Sequence, residues 1–359
     1  MTRQELEDLR IGAPSRAVYD QVKARWDGMA KPLDGMGRFE ELTARMGAVF
    51  GTPEFQIGKK AVLVLCADNG IVAEGISQSG QEVTAAVARS MGRGESSVCR
   101  LAKRAGADVI PVDLGIHSSE AIPGVLDRKI LQGTRDFLKE PAMTEGETLA
   151  AVRAGMELAL DCKERGYQLL AVGEMGIGNT TTTSAVAAAL TGCPVEAITG
   201  RGAGLDDAGL RRKRQVISQA LEQYGLGPED PLRVLSTVGG LDLAGMVGIY
   251  LGGALARIPV VLDGVISVAA ALAAEKLKPG VREYLIPSHK SKEPAAGRLL
   301  QQLGLDPVLD AGMALGEGTG AVMMFALLDL AMALYQNQTL FADMELEPYV
   351  RFETGEKED

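Results

Sequence analysis

Two glutamates stand in glycine-rich frames: Glu174 in Gly173-Glu-Met-Gly-Ile-Gly-Asn-Thr-Thr-Thr-Thr183 and Glu317 in Leu315-Gly-Glu-Gly-Thr-Gly320. A carboxylate between glycines has an open path to a ligand. Shielded from water, it is costly unless it is paired or does acid–base work. Gly176 and Gly178 allow close backbone approach, and Asn179 and Thr180 open a helix, which together make an anion seat at a helix N-terminus. The segment lacks the Gly-Lys-Ser/Thr of a Walker loop and the third glycine of a dinucleotide fingerprint. Its plain alternative is a tight strand-to-helix turn. In the second frame Gly318 and Gly320 leave amides bare, the alternative being a helix start with an acid in its first turn.

Three further segments could complete such a site. Thr199-Gly-Arg-Gly-Ala-Gly-Leu-Asp-Asp207 precedes a helix carrying Arg211, Arg212, Lys213 and Arg214. Gly202 and Gly204 beside one of these cations suit a phosphate monoester, unless the cations form a solvated face. In the long polar loop from Asp68 to Thr84, Ser77, Ser79 and Gln81 can meet a heterocycle edge or merely cap a helix. Ser288-His-Lys-Ser-Lys-Glu-Pro294 offers Ser291 and also His289, which reads as a structural histidine, and Gly239-Gly-Leu-Asp242 reads as packing. A phosphate cradle with isolated glutamates and no metal-ligand cluster points to nucleotide or sugar-phosphate chemistry run by carboxylates.

These residues must be held by a scaffold, and the pattern of the chain predicts it. Apolar runs at Lys60–Cys66, Asp108–Leu114, Tyr167–Gly173, Arg257–Leu262 and Tyr284–Ile286 each end in a polar or glycine-rich loop. Alanine-rich helical segments alternate with them, at Val83–Met91, Thr144–Arg165, Thr180–Leu190, Ala208–Tyr224 and Val265–Ala274. Strand–loop–helix repeats give an α/β fold, a Rossmann-like parallel sheet with helices on both faces. Ligands bind beyond the carboxyl ends of such strands, which singles out Asp68, Asn69, Asp113, Glu174, Asn179, Asp263, Ser288, His289 and Ser291. Helical patterns capped at Ser15 and spaced by Phe39, Leu42 and Met46, with the helix near Gly320–Tyr335, predict a smaller helical piece. The expected division is a large catalytic domain over 30–305 and a small helical domain from 1–29 and 306–359. Glu353 to Asp359 read as an acidic frayed tail.

Composition narrows the chemistry. The 359 residues hold 47 Asp plus Glu against 37 Lys plus Arg, a net charge of −10, and 4% aromatics. That excludes a broad nucleic-acid face and base-stacking platforms. Four dispersed cysteines read as reduced core residues, and only two histidines leave little for a zinc cluster or a Ser-His-Asp triad. No apolar signal region opens the chain, and Val260–Ala274 is too short to cross a bilayer, so the expectation is a cytoplasmic protein without membrane or nucleic-acid partners.

The stretches CADNGIVAEG (66–75), GEMGIGNTT (173–181), GLDD with RK (205–213), VGGLDL (238–243), PVVLDG (259–264), YLIPSHKSKEP (284–294) and LGEGTGA (315–321) resemble the nicotinate-nucleotide–dimethylbenzimidazole phosphoribosyltransferases of cobalamin biosynthesis. Lys31-Pro32 and Gly37-Arg38 fit as well, although Asp34-Gly-Met36 stands where Gly-Ser-Leu is usual. The resemblance implies transfer of the ribose 5-phosphate of nicotinate mononucleotide to 5,6-dimethylbenzimidazole or a related base, with inversion at C1′. It also implies a homodimer, a small domain built from both chain ends, and no cofactor or metal. It makes Glu317 the catalytic base and Glu174 a second glutamate beside it. It places Gly176, Gly202 and Lys213 about the phosphate, and the residues themselves add Gly178, Asn179, Thr180, Gly204 and Asp263 to the expected phosphate and ribose set. The implied base pocket is Ser77, Ser79, Gln81, Val87, Met175 and Leu315, with Ser291, Gly318 and Gly320 on the nicotinate side. The competing readings are another nucleoside-phosphate glycosyl transferase or hydrolase, and a non-catalytic nucleotide-binding protein.

Overall fold

The computed structural model describes residues 1–337 and 339–351, so the stretch 353–359 lies outside the described residues. Six strands form one parallel sheet: β1 (Lys59–Ala67), β2 (Ala107–Gly115), β3 (Leu126–Asp127), β4 (Tyr167–Met175), β5 (Val260–Val261) and β6 (Leu285–Ile286). Their order is β3-β2-β1-β4-β5-β6. Every residue of β1 after Lys59 is buried. Successive strand side chains point to opposite faces, so both faces of the sheet are covered there. The helices Glu82–Gly92, Glu145–Glu164, Asn179–Thr191, Asp207–Tyr224, Val265–Leu277 and Thr319–Gln336 each begin within one residue of the position expected from the sequence. Thr144 caps the second of these in a reciprocal capping box with Glu147. Cys66, Cys99 and Cys162 are buried free thiols, and Cys193 is a half-buried one.

Two details of the sheet differ from the expectation. β5 and β6 are two-residue strands inside longer apolar runs, and β3 is an unexpected edge strand with both residues exposed. An exposed edge pair carries no apolar run, so nothing in the sequence marks it.

The chain divides into two compact units, one of Met1–Ala13 with Gly58–Phe325 and one of Pro14–Ile57 with Ala326–Asp359. These boundaries correct the expected ones at 30 and 305. The first thirteen residues join the larger unit because Arg3 pairs with Glu145 at 2.7 Å and Asp230 at 3.2 Å while Leu6 is buried. The chain from 306 to 325 joins it because the Glu317 loop packs on β4, where a Cβ on Gly173 would stand 2.3 Å from the Glu317 carbonyl oxygen. The smaller unit pairs helices Arg16–Asp27 and Arg38–Phe50 around Trp26, whose indole N–H donates to Thr43 Oγ1 at 2.7 Å. Asp27, Asp34 and Glu40 come close enough there to share a cation. Their charges are met by protein cations: Lys31 lies 2.6 Å from Glu40, and Arg351 lies 2.7 Å from both Asp27 and Asp34. Arg351 and Lys23 hold the Asp34 carboxyl well below the usual carboxylate range. Helix Thr319–Gln336 is long and apolar enough to cross a bilayer, but more than half of it is buried, as in a core helix.

The buried helix Leu241–Ala256 lies against Glu145–Glu164 at backbone contact distance: a Cβ on Gly248 would stand 1.9 Å from the Val152 carbonyl oxygen. Only glycine permits that approach, and adding a methyl must push the helices apart. Gly248→Ala is expected to lower stability by about 1–3 kcal/mol, measured as the free energy of urea unfolding.

Candidate active site

In the order β3-β2-β1-β4-β5-β6 the chain leaves β1 and β4 in opposite directions, which opens a crevice beyond their carboxyl ends. A cavity of about 260 Å³ lies there. Its wall takes Gly173, Glu174 and Met175 from β4, then Gly176, Ile177, Asn179 and Thr180 from the following turn and helix. Gly202 and Ala203, Asp263 to Ser267, His289, Ser291, Glu293, Met246 and Ala314 to Glu317 complete it.

A buried lysine stands behind the Thr180 wall of the cavity. Lys213 is fully buried, and its Nζ donates to Thr180 Oγ1 at 2.8 Å. Burial pushes its pKa down to about 8, partly offset by the Glu293 carboxylate. An enclosed ammonium with one hydroxyl partner retains capacity for an anion. Gly202 has φ +55°, and a Cβ there would stand 2.5 Å from Thr180 Oγ1, so glycine is required where the loop meets the helix start. Arg211, Arg212 and Arg214 do not line the cavity. Arg212 donates to the Glu74 carbonyl and Arg214 to that of Glu196. Asp206 caps helix Asp207–Tyr224 through Gly209 N at 2.7 Å, and Asp207 pairs with Arg201, so this acidic pair does not face the cavity as a diphosphate-metal site would.

The two glutamates meet in the same cavity. The Glu174 carboxyl accepts a hydrogen bond from Asn179 Nδ2. Desolvation pushes its pKa up to about 8, helped by Asp242, Asp263 and Glu317, so it carries a proton at neutral pH. Glu317 adopts a left-handed backbone at φ +61°, and its Oε2 accepts from Val98 N at 3.1 Å, in the first turn of helix Ser97–Arg104. That bond fixes the carboxylate at the cavity wall.

Asp263 does something other than the sequence suggested. Its carboxylate accepts from Gly318 N at 3.2 Å, Gly320 N at 2.8 Å and Ala321 N at 3.2 Å. It thus caps helix Thr319–Gln336. The expectation that the Gly318 and Gly320 amides are bare is corrected, because Asp263 occupies both, and neither glycine lines the cavity.

Glu174, Glu317, Gly176, Asn179, Thr180, Gly202, Asp263, Met175, Leu315 and Ser291 all line the main cavity, with Lys213 directly behind Thr180. Ser77 and Gly178 line a smaller cavity of about 60 Å³ that shares Gly176, Asn179 and Thr180. Ser79, Gln81, Val87 and Gly204 line neither. Gln81 Nε2 donates to the Asn69 carbonyl at 3.3 Å, and Gly204 receives Gln78. His289, singled out by its place after a strand, lines the cavity, and so does Glu293, which the sequence did not single out and which only its place in the SHKSKEP loop after β6 marks. Met246 and Ile266 lie on helices whose continuous burial gives no sign of a cavity.

A family profile described as Phosphoribosyltransferase matches residues 11–345. The chain is 40% identical over 339 residues to the nicotinate-nucleotide–dimethylbenzimidazole phosphoribosyltransferase of Acetivibrio thermocellus, covering 94% of this chain and 97% of that protein. It is 43% identical over 328 residues to the protein of the same name from Geobacter metallireducens, covering 91% and 93%. The crystal structure of CobT from Thermus thermophilus superposes with a TM-score of 0.88 at 41% identity, over 92% of this chain and 99% of that one.

The buried ammonium sets a prediction. Lys213→Ala should weaken binding of inorganic phosphate by about 1.5–3 kcal/mol, measured by calorimetry. The pH dependence follows from the depressed pKa of about 8. The folded protein loses this proton below the unfolded value, so fold stability from this group rises from about pH 8 to pH 10.5, while phosphate affinity falls as pH rises above about 8. Lys213→Ala should abolish that fall in affinity.

Proposed function

We propose, for a chain that belongs to the phosphoribosyltransferase family, that it transfers the phosphoribosyl group of nicotinate mononucleotide to 5,6-dimethylbenzimidazole or a related base, giving α-ribazole 5′-phosphate and nicotinate. The observation that carries the reading is one cavity whose wall brings the carboxyl groups of Glu174 and Glu317 together with Thr180, itself bonded to the buried ammonium of Lys213.

In this reading the 5′-phosphate takes the seat made by Lys213, Thr180 and the amides around Gly176 and Gly202. Charge-assisted hydrogen bonds hold it there. The benzimidazole attacks C1′ through one ring nitrogen, from the face opposite the leaving group, and configuration inverts. The C1′–N bond to the pyridinium breaks, and its electron pair returns to the ring nitrogen, which becomes neutral. Nicotinate therefore departs without a general acid. The attacking base gains positive charge, and the proton on its second nitrogen passes to a carboxylate. Glu317, whose carboxylate is held at the cavity wall by the Val98 N–H, takes it as the base, while burial favours the neutral form of Glu174. Glu174 serves as a neutral hydrogen-bond donor beside it. Met175, Leu315, Ile266 and Met246 supply apolar wall for the ring.

The same reading makes the protein a cytoplasmic homodimer that needs no cofactor or metal. Leu330 and Leu334 are exposed on one side of helix Thr319–Gln336, an apolar strip that supports association.

Glu317→Gln keeps the shape of the side chain and removes the proton acceptor. Dimethylbenzimidazole should still bind, while nicotinate release should fall about 10²- to 10⁴-fold. Turnover near wild type in that variant would remove Glu317 from the role of base.

A further inference from the structure

The Gly239-Gly-Leu-Asp242 motif takes no part in the reaction just described, yet it places a fully buried carboxyl group behind the cavity wall. We infer that Asp242 is a positioning residue for Glu174, acting through the side-chain amide of Asn179.

The geometry joins three elements. Asp242 lies in the first turn of helix Leu241–Ala256, and its Oδ1 accepts from Leu243 N at 2.9 Å, which fixes the carboxyl. Its Oδ2 is buried without a partner of hydrogen-bond geometry. Asn179, the first residue of helix Asn179–Thr191, faces that carboxyl and gives its Nδ2 to Glu174. A carboxamide nitrogen carries two hydrogens, so one serves Glu174 and the second is left for the unpartnered oxygen of Asp242. The turn leaves room for the Asp242 carboxyl itself. A Cβ on Gly240 would stand 2.5 Å from Asp242 Oδ1 and 2.6 Å from the Asn69 side-chain oxygen. No side chain fits there without displacing the carboxyl.

The link fixes where the Glu174 carboxyl points and which form it takes. Groups that bear on its charge are Asp242 from the helix beneath, Asp263 after β5, Glu317 from its loop and Asn179. Cys66, on β1, is a buried neutral thiol near both Glu174 and Asp242, and Asp68 faces Asp242. Asp242 is pushed up only to about 6, so it is ionised at neutral pH, and its charge opposes ionisation of Glu174. Asp242 thus keeps Glu174 the proton-bearing partner of Glu317. The consequence for turnover rests on the proposed phosphoribosyl transfer, whereas the consequence for Glu174 titration does not.

The test is Asp242→Asn in the full chain. Difference infrared spectroscopy follows the carboxylic acid band of Glu174, assigned by its loss in Glu174→Gln. Removing the neighbouring charge should move the Glu174 midpoint to lower pH by about one unit or more. The alkaline limb of nicotinate release should move the same way. Its kcat should fall roughly tenfold while KM for nicotinate mononucleotide stays, because an indirect role spares substrate binding. An unchanged Glu174 midpoint in a folded Asp242→Asn protein would overturn the inference. If that variant does not fold, Asn179→Ala decides. Losing the amide donor should raise the midpoint, and no change would overturn the link. A shifted midpoint in a protein whose wild type releases no nicotinate would support the inference and contradict the proposed activity instead.

Discussion

Burying an ammonium group away from water is expensive, and the site is arranged around that cost. Lys213 is enclosed with the Thr180 hydroxyl at 2.8 Å as its hydrogen-bond partner and the Glu293 carboxylate as an opposing charge. Depression of its pKa to about 8 records the deficit. An anion that reaches the Thr180 end of the cavity relieves it. Gly202 follows from the same requirement, because its loop must bring backbone, not a side chain, against Thr180 at the start of helix Asn179–Thr191.

The carboxyl groups of the cavity obey the converse logic. Glu174, Asp242, Asp263 and Glu317 lie near one another on the carboxyl-end side of the sheet, and they cannot all remain ionised without partners. Asp263 spends its charge on three backbone amides of one helix start. Glu317 takes the Val98 amide, and Glu174 keeps its proton. Chemically similar groups thus stand in distinct surroundings, and burial favours the neutral form of one of them.

The sheet and the main helices were legible because their signals are local. An apolar run ending in a polar loop marks β1, β2 and β4, and Thr144 with Glu147 marks a helix start. Glu174, Glu317 and Gly202 were legible because glycines around a functional group are unusual for packing alone. Other features depend on contacts distant in sequence. The pairing of Arg3 with Glu145 assigns the first residues to the larger unit, and the bonds from Gly318 and Gly320 to Asp263 turn apparent ligand donors into a cap. Asp242 read as a packing residue because its partner, Asn179, is far away in the chain. β3 left no pattern because exposed edge residues need none.

In the proposed reaction one cavity, with a lysine-held phosphate and carboxylates alone, performs the transfer. This is tested by adding nicotinate mononucleotide and dimethylbenzimidazole to exhaustively chelated protein, measuring nicotinate release, and assigning the anomeric configuration of the product by NMR. Release in EDTA should equal that with added magnesium, and the ribazole phosphate should be α-configured. Release that requires magnesium, or a β-configured product, would contradict that reaction.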